Sequence, residues 1–279
     1  MQDFSQITKL DLSDRRLTEL PDLTMYTNLR FLNCSSNRLT QLTNLPPTLQ
    51  KLDCSSNRLI TLPNLIEMTP TLQKLSCQCN QLILLPNLPP TLLSLNCSSN
   101  RLITLPNLIE MTPTLQKLSC QCNQLILLPN LPPTLQKLSC YSNRLTILPN
   151  LIEMTPTLQE LYCSNNQLIL LPNLPPTLQD LSSSNNQLIL LPNLLEMTPM
   201  LQVLGCDYNQ LVILPNLPPT LQWLSCGNNR LTQLDDIIEM MPTLQLKCSN
   251  NPLIYDFEPT IENIRKYNEE QLMLSPIMK

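Results

Sequence analysis

The chain has 279 residues, no histidine, 2 glycines against 27 prolines, 14% charged residues and a formal net charge of −4. Without histidine it lacks the commonest general base and metal ligand, and so few glycines leave little backbone for phosphate-cradling loops. The slight negative charge gives no drive toward nucleic acid or an anionic membrane.

The opening residues, Met1 to Gln6, do not show the basic-then-apolar order of a signal peptide. No apolar run is long enough to span a bilayer. The expectation is an intracellular protein in a reducing compartment, the cytoplasm of its own cell or of a host, with no membrane contact.

From there the chain is organised by self-similarity. An asparagine ending Cys-Ser-Ser-Asn or its equivalent recurs at Asn37, Asn57, Asn80, Asn100, Asn123, Asn143, Asn166, Asn186, Asn209 and Asn229, and again at Asn251. The gaps alternate between 20 and 23 residues until the last, which is 22. A first unit carries Arg15 in the asparagine's place, so there are about twelve units. Segments 43–85 and 86–128 are nearly the same text, as tandem duplication would leave them.

Each unit reads Leu-x-x-Leu-x-Cys-x-x-Asn-x-Leu and then x-x-Leu-Pro-Asn-Leu. In Leu49-Gln50-Lys51-Leu52-Asp53-Cys54 the apolar residues alternate at the period of a strand. No unit alone can bury its leucines. Stacked units can, with their strands forming one parallel sheet. At about 4.8 Å per strand, twelve units give an inner sheet roughly 55 Å long. The asparagine amides are expected to form a structural ladder that satisfies turn backbone in their own and neighbouring units.

The return path differs between unit types. Short units use Leu-Pro-Asn-Leu-Pro-Pro-Thr-Leu, where Pro46-Pro47 and its equivalents impose extended, polyproline-II-like backbone. Long units use Leu-Ile-Glu-Met-Thr-Pro, as at Leu65 to Pro70. Their three extra residues allow one helical or 3₁₀ turn before the proline.

These residues resemble the leucine-rich-repeat family over nearly the whole chain. The Leu-Pro-x-Leu-Pro-x-x-Leu phrase is similar to the bacterial-type subclass found in secreted effectors. The Cys-Ser-x-Asn strand end and the tail Asn251 to Ile264 also resemble leucine-rich-repeat proteins of giant viruses. The resemblance implies a horseshoe-class solenoid: a curved parallel sheet on the concave side, with extended segments and short helical turns on the convex side. It further implies recognition of a protein partner through the concave face. Some relatives carry a catalytic ubiquitin-ligase domain after their repeats, but the 28 residues of this tail contain no cysteine.

Two regions follow from this reading: repeats over 1–251 and a C-terminal cap over 252–279, with a helix at about 259–273. The helix either covers the last core layer or docks a partner. Ten of the 12 cysteines share one strand slot, filled by Ser183 in one unit. They read as buried free thiols, because equivalent rungs encode no unique disulfide pairing. Cys79 and Cys122 fall two residues later, at the strand's end, where more exposure is expected.

The alternation assigns the displayed side chains. Lys51, Lys74, Lys117 and Lys137 lie on the early and middle face, and Glu160 and Asp180 on the later one. Tyr141, Tyr162, Tyr208 and Trp223 are the four aromatics of the 43–234 body, at positions where sibling units carry other residues. They are read either as contact anchors or as drift in a duplicated array. Arginines after the ladder asparagine, such as Arg58 and Arg101, and outer glutamates such as Glu67 and Glu239 read as solvated edges.

The expected function is a non-enzymatic protein-interaction module, an effector or adaptor. No cofactor, metal, nucleic acid or small-molecule substrate is expected, and a monomer is favoured. The alternative is a structural protein that assembles with itself.

Overall fold

The structure, a computed structural model, describes residues 4–234, 241, 243–255 and 257–274. Glu239 of the outer glutamate series lies outside the described residues. The chain divides into two compact units, Met1–Leu145 with Met154–Leu158, and Thr146–Glu153 with Gln159–Lys279.

The architecture is a repeat solenoid of short parallel strands. The first unit holds β1 (Lys9–Asp11), β2 (Phe31–Asn33), β3 (Lys51–Asp53), β4 (Lys74–Ser76), β5 (Ser94–Asn96), β6 (Lys117–Ser119) and β7 (Lys137–Ser139). The second holds β8 (Glu160–Tyr162), β9 (Asp180–Ser182), β10 (Val203–Gly205), β11 (Trp223–Ser225) and β12 (Gln245–Lys247). Within each unit, consecutive strands pair in parallel, with equivalent repeat positions opposite each other: Leu52 faces Leu75, and Leu204 faces Leu224.

Each strand is three residues long because the chain must turn at once. The residue before every ladder asparagine is left-handed, with φ near +53° at Ser56, Ser142 and Tyr208 alike. Asn165, Asn185, Asn228 and Asn250 tolerate that conformation best. The strand's central leucine and the following cysteine point into the core, where Leu75, Cys77, Leu95 and Cys97 are buried.

The asparagine side chain then bridges two repeats. Asn57 Nδ2 donates to the Cys54 carbonyl at 3.1 Å in its own repeat and to the Cys34 carbonyl at 3.0 Å in the one before. Its Oδ1 accepts from the Leu39 backbone N–H at 3.0 Å. Asn80, Asn100, Asn186, Asn209 and Asn229 are buried in the same geometry, and Asn123 makes the same bonds half-buried. Arg15, lacking an amide, gives its backbone N–H to Asn37 Oδ1 at 3.0 Å.

A second ladder, which the sequence reading did not single out, runs along the return path. Thr48 Oγ1 donates to the Leu29 carbonyl at 2.8 Å, and Thr71, Thr91 and Thr134 repeat the bond one repeat back. The preceding prolines shape the turn that presents it, since the Leu49 N–H closes on the Pro46 carbonyl at 3.2 Å.

Long repeats insert a single α-helical turn: α1 (Leu65–Met68), α2 (Leu108–Met111), α3 (Leu151–Met154) and α4 (Leu194–Met197). In α1, α2 and α4 the leucine is buried, the glutamate is exposed, and the following threonine bonds back to the leucine carbonyl. After the last strand comes α5 (Ile261–Leu274), started by Thr260, whose hydroxyl accepts the Asn263 N–H at 3.2 Å. Ile264 is fully buried. Tyr255, Phe257 and Tyr267 form a ring cluster with centroids 5.1 to 5.7 Å apart. Tyr255 Oη also takes the Leu234 N–H at 2.9 Å.

Replacing Asn100 by alanine orphans the Leu82 N–H and loosens the Cys77 and Cys97 carbonyls. At roughly 1–3 kcal/mol per buried group left unpaired, the expected loss is about 2–4 kcal/mol, read as a lower midpoint in urea unfolding. An exposed change such as Arg101→Ala should leave that midpoint within about 0.5 kcal/mol of wild type.

Candidate protein-binding surface

The alternation that buries Leu52 and Cys54 turns the residues beside them outward, so each sheet face displays two rows from the strands and a third just beyond. On the first unit, Lys9, Phe31, Lys51, Lys74, Ser94, Lys117 and Lys137 stand in register across β1–β7. This unit therefore holds all four lysines singled out from sequence, and Lys9 besides. Tyr141 also belongs to it, half-buried just past β7.

Phe31 belongs to the displayed row read from the sequence but lies before the 43–234 body that holds the four candidate aromatic anchors. The ammonium groups of Lys51 and Lys9 lie 4.4 and 5.2 Å from its ring centre. The electron-rich ring face attracts both cations. Together with Lys74, Asp11, Asn33, Asp53 and Ser76 they line a shallow hollow of about 510 Å³. Its two carboxylates are already engaged. Asp53 accepts the Ser55 hydroxyl at 2.6 Å, and Asp11 accepts that of Ser13 at the same distance. The Ser13 bonds hold the Asp11 carboxyl below its ordinary range.

Not every outward position reaches solvent. Ser55 and Ser98 are buried, because each folds back onto the preceding strand residue.

The second unit displays a different chemistry. Tyr162 donates its hydroxyl to Asp180 Oδ2 at 2.7 Å and lies 3.0 Å from Glu160 Oε2. Partial burial and these two carboxylates push the phenol's pKa well above its ordinary value, so it stays a donor. Further on, Lys247 Nζ sits 4.7 Å from the Trp223 ring centre. Asp207 Oδ1 accepts the Ser225 hydroxyl at 2.7 Å and the Gly227 N–H at 2.9 Å. Tyr208 is exposed, held outward by its left-handed backbone. The structure thus brings Glu160, Tyr162 and Asp180 into one cluster, and it sets Tyr208 and Trp223 apart from them.

The core thiols lie outside this surface. Cys54 and Cys77 donate to the next strand's carbonyl at 3.4 Å, and Ser183 does the same at 3.3 Å. Burial pushes the Cys97 and Cys163 thiols up to about 12. Cys79 and Cys122 occupy the left-handed slot and are exposed. Among the described residues no group of three or more Cys, Asp or Glu is placed to hold a metal. No helix among them is long and apolar enough to cross a membrane.

A family model of leucine-rich repeats in two copies matches residues 5–47. The chain is a leucine-rich-repeat protein. Its repeats are of the bacterial type, as its similarity to solved structures shows. YopM from Yersinia enterocolitica is 31% identical over 89% of the chain, with a TM-score of 0.62. The chain spans 61% of the length of that relative. A leucine-rich-repeat protein of Leptospira interrogans is 28% identical over 89% of this chain and 74% of its own, with a TM-score of 0.69. YopM from Yersinia pestis, described as a leucine-rich effector protein, is 27% identical over 91% and 87%, with a TM-score of 0.63. No curated protein sequence matches the chain.

In the folded leucine-rich-repeat protein, a thiol-specific reagent should modify two of the 12 cysteines quickly, Cys79 and Cys122, with the rest reacting only after denaturant is added. Fast modification of more than two in native buffer would contradict the buried ladder, and a C79S/C122S variant should show none.

Proposed function

We propose that this leucine-rich-repeat protein is a non-enzymatic interaction module that binds a partner protein on the concave, strand-bearing face. The observation that carries this reading is that the displayed side chains exceed what the repeat needs. Phe31 and Trp223 occupy a slot where sibling repeats place Ser94 or Gln245, Tyr162 occupies one where they place Ser or Asn, and each is drawn into a cation–ring or hydroxyl–carboxylate contact. Large rings held in place by neighbours lose little freedom on binding and make good anchors.

The two units favour different parts of a partner. Lys9, Lys51, Lys74, Lys117 and Lys137 of the first unit suit an acidic segment. Glu160, Asp180 and Asp207 of the second, with Tyr162, Tyr208 and Trp223, suit a basic or aromatic one. An effector or adaptor role is supported by the likeness to YopM of Yersinia pestis, whose own description is an effector.

Candidate partners can be captured from host-cell lysate on the immobilised protein and the interaction then measured with purified components. Tyr162→Ala and Trp223→Ala should each weaken it about tenfold or more, or about 1.4 kcal/mol. Lys51→Ala with Lys74→Ala should chiefly slow association and flatten its salt dependence. Unchanged affinity in both aromatic variants would remove the strand face from the interaction.

A further inference from the structure

The chain has two glycines, and both lie along the strand face of the second unit: Gly205 ends β10, and Gly227 lies just past β11. Neither has the left-handed backbone that would call for glycine. Both border Asp207. A Cβ on Gly227 would come within 3.3 Å of Asp207 Oδ1 and 3.0 Å of the Ser249 carbonyl, too close for all three to keep their places. Without it, Oδ1 settles on the Gly227 N–H at 2.9 Å and takes the Ser225 hydroxyl at 2.7 Å. Oδ2 has only a long contact, 3.4 Å from Ser184 Oγ. One carboxylate oxygen is thus fixed by the protein, and the other keeps lone pairs to offer.

Gly205 has a different effect. A Cβ there would stand 3.5 Å from Ser184 Oγ and 3.6 Å from Ser182 Oγ, which is ordinary contact. The fold therefore accepts a side chain at this position, and the strands on either side carry Ser182 and Ser225 in it. Omitting the side chain opens a gap in the displayed row. The gap adjoins the loosely held Asp207 Oδ2, because Ser184 Oγ borders both. Trp223 walls it from β11, paired with Val203 two residues before Gly205. Lys247 reaches the ring from β12, on the far side of β11, with its ammonium 4.7 Å from the ring centre. A cation over the ring on that side leaves the other face turned toward β10 and the gap.

We propose that this gap is a socket for one arginine side chain of the partner protein. The proposal rests on the strand face being the binding surface, and it names the residue that anchors there. Three properties select a guanidinium. Its plane stacks on an indole face, which attracts a cation. Its fork of N–H donors reaches an acceptor at the rim of that plane, and Asp207 Oδ2 is a charged one. Its charge is more weakly hydrated than that of an ammonium, so a shallow site can hold it. A neutral side chain would gain the stacking alone. An acidic one would meet Asp207 and, one strand before β10, Asp180.

The chain has one tryptophan, so its emission reports on this site alone. Titrating the full chain with the peptide acetyl-Gly-Arg-Gly-amide should shift Trp223 emission along a saturating curve. The citrulline peptide has the same shape without the charge and should bind about tenfold more weakly or worse, with the lysine peptide between the two. Gly205→Ser restores the side chain of the neighbouring strands and fills the socket. Asp207→Asn keeps an oxygen for Ser225 and Gly227 and removes the charge. Each should weaken the arginine peptide about tenfold or more with an unchanged circular dichroism spectrum, and Arg101→Ala in the first unit should leave its binding as it was. Folded wild type that gives no saturable shift overturns the proposal. Equal binding of the arginine and citrulline peptides overturns it too, as does full binding by folded Gly205→Ser. A protein partner whose affinity falls with Trp223→Ala but not with Gly205→Ser overturns the socket and leaves the strand face intact; one indifferent to both Tyr162→Ala and Trp223→Ala removes the strand face as well.

Discussion

The amide of the ladder asparagine is the constraint on which the rest of the molecule depends. A repeat of about twenty residues that reverses direction after a three-residue strand leaves carbonyls and N–H groups at its turn with no strand partner. These groups are buried, so water cannot satisfy them, and each one left unpaired would cost roughly 1–3 kcal/mol. A carboxamide carries donors and an acceptor on one rigid plane. It can therefore bond to two turns at once, as Asn57 does between Cys34 and Cys54. Glutamine is too long for that distance, and aspartate has no donor.

Other features follow from that plane. The residue before the asparagine is forced into the left-handed region and its side chain outward, which is why Cys79 and Cys122 are exposed while Cys77 and Cys120, two residues earlier, are sealed. The strand stays short, so only one central leucine per strand is committed to the core. Its two neighbours can then vary, and the sheet face can carry lysines in one unit and carboxylates with aromatics in the other. The hydroxyls of Thr48, Thr71 and Thr91 perform a related service on the return path with a single donor.

Most of the framework was legible in the sequence because it repeats. Period, strand phase, the helical turn at Leu65–Met68 and the cysteine rungs can be read from one unit and checked in its siblings. What escaped reading was relational. The two lysines over Phe31, and the Tyr162 hydroxyl between Glu160 and Asp180, join residues on neighbouring strands about twenty positions apart, or at the next but one on the same strand. Chain text gives no distance between them. The exposure of Ile83 and Leu84 was missed for another reason. Ile83-Leu84 follows an inward leucine directly, so in a sequence rich in Leu it reads as more core. Only exposure separates the leucine that is buried from the two residues after it.

The alternation of 20- and 23-residue repeats carries a consequence for how such a chain can change length. Adding or losing a single repeat would put two short or two long return paths side by side. A gain or loss of 43 residues preserves their alternation. The array is thus quantised in pairs, and the nearly identical segments 43–85 and 86–128 have the length of one such step. Growth by that step would extend the strand face by two strands while leaving every ladder bond as it was.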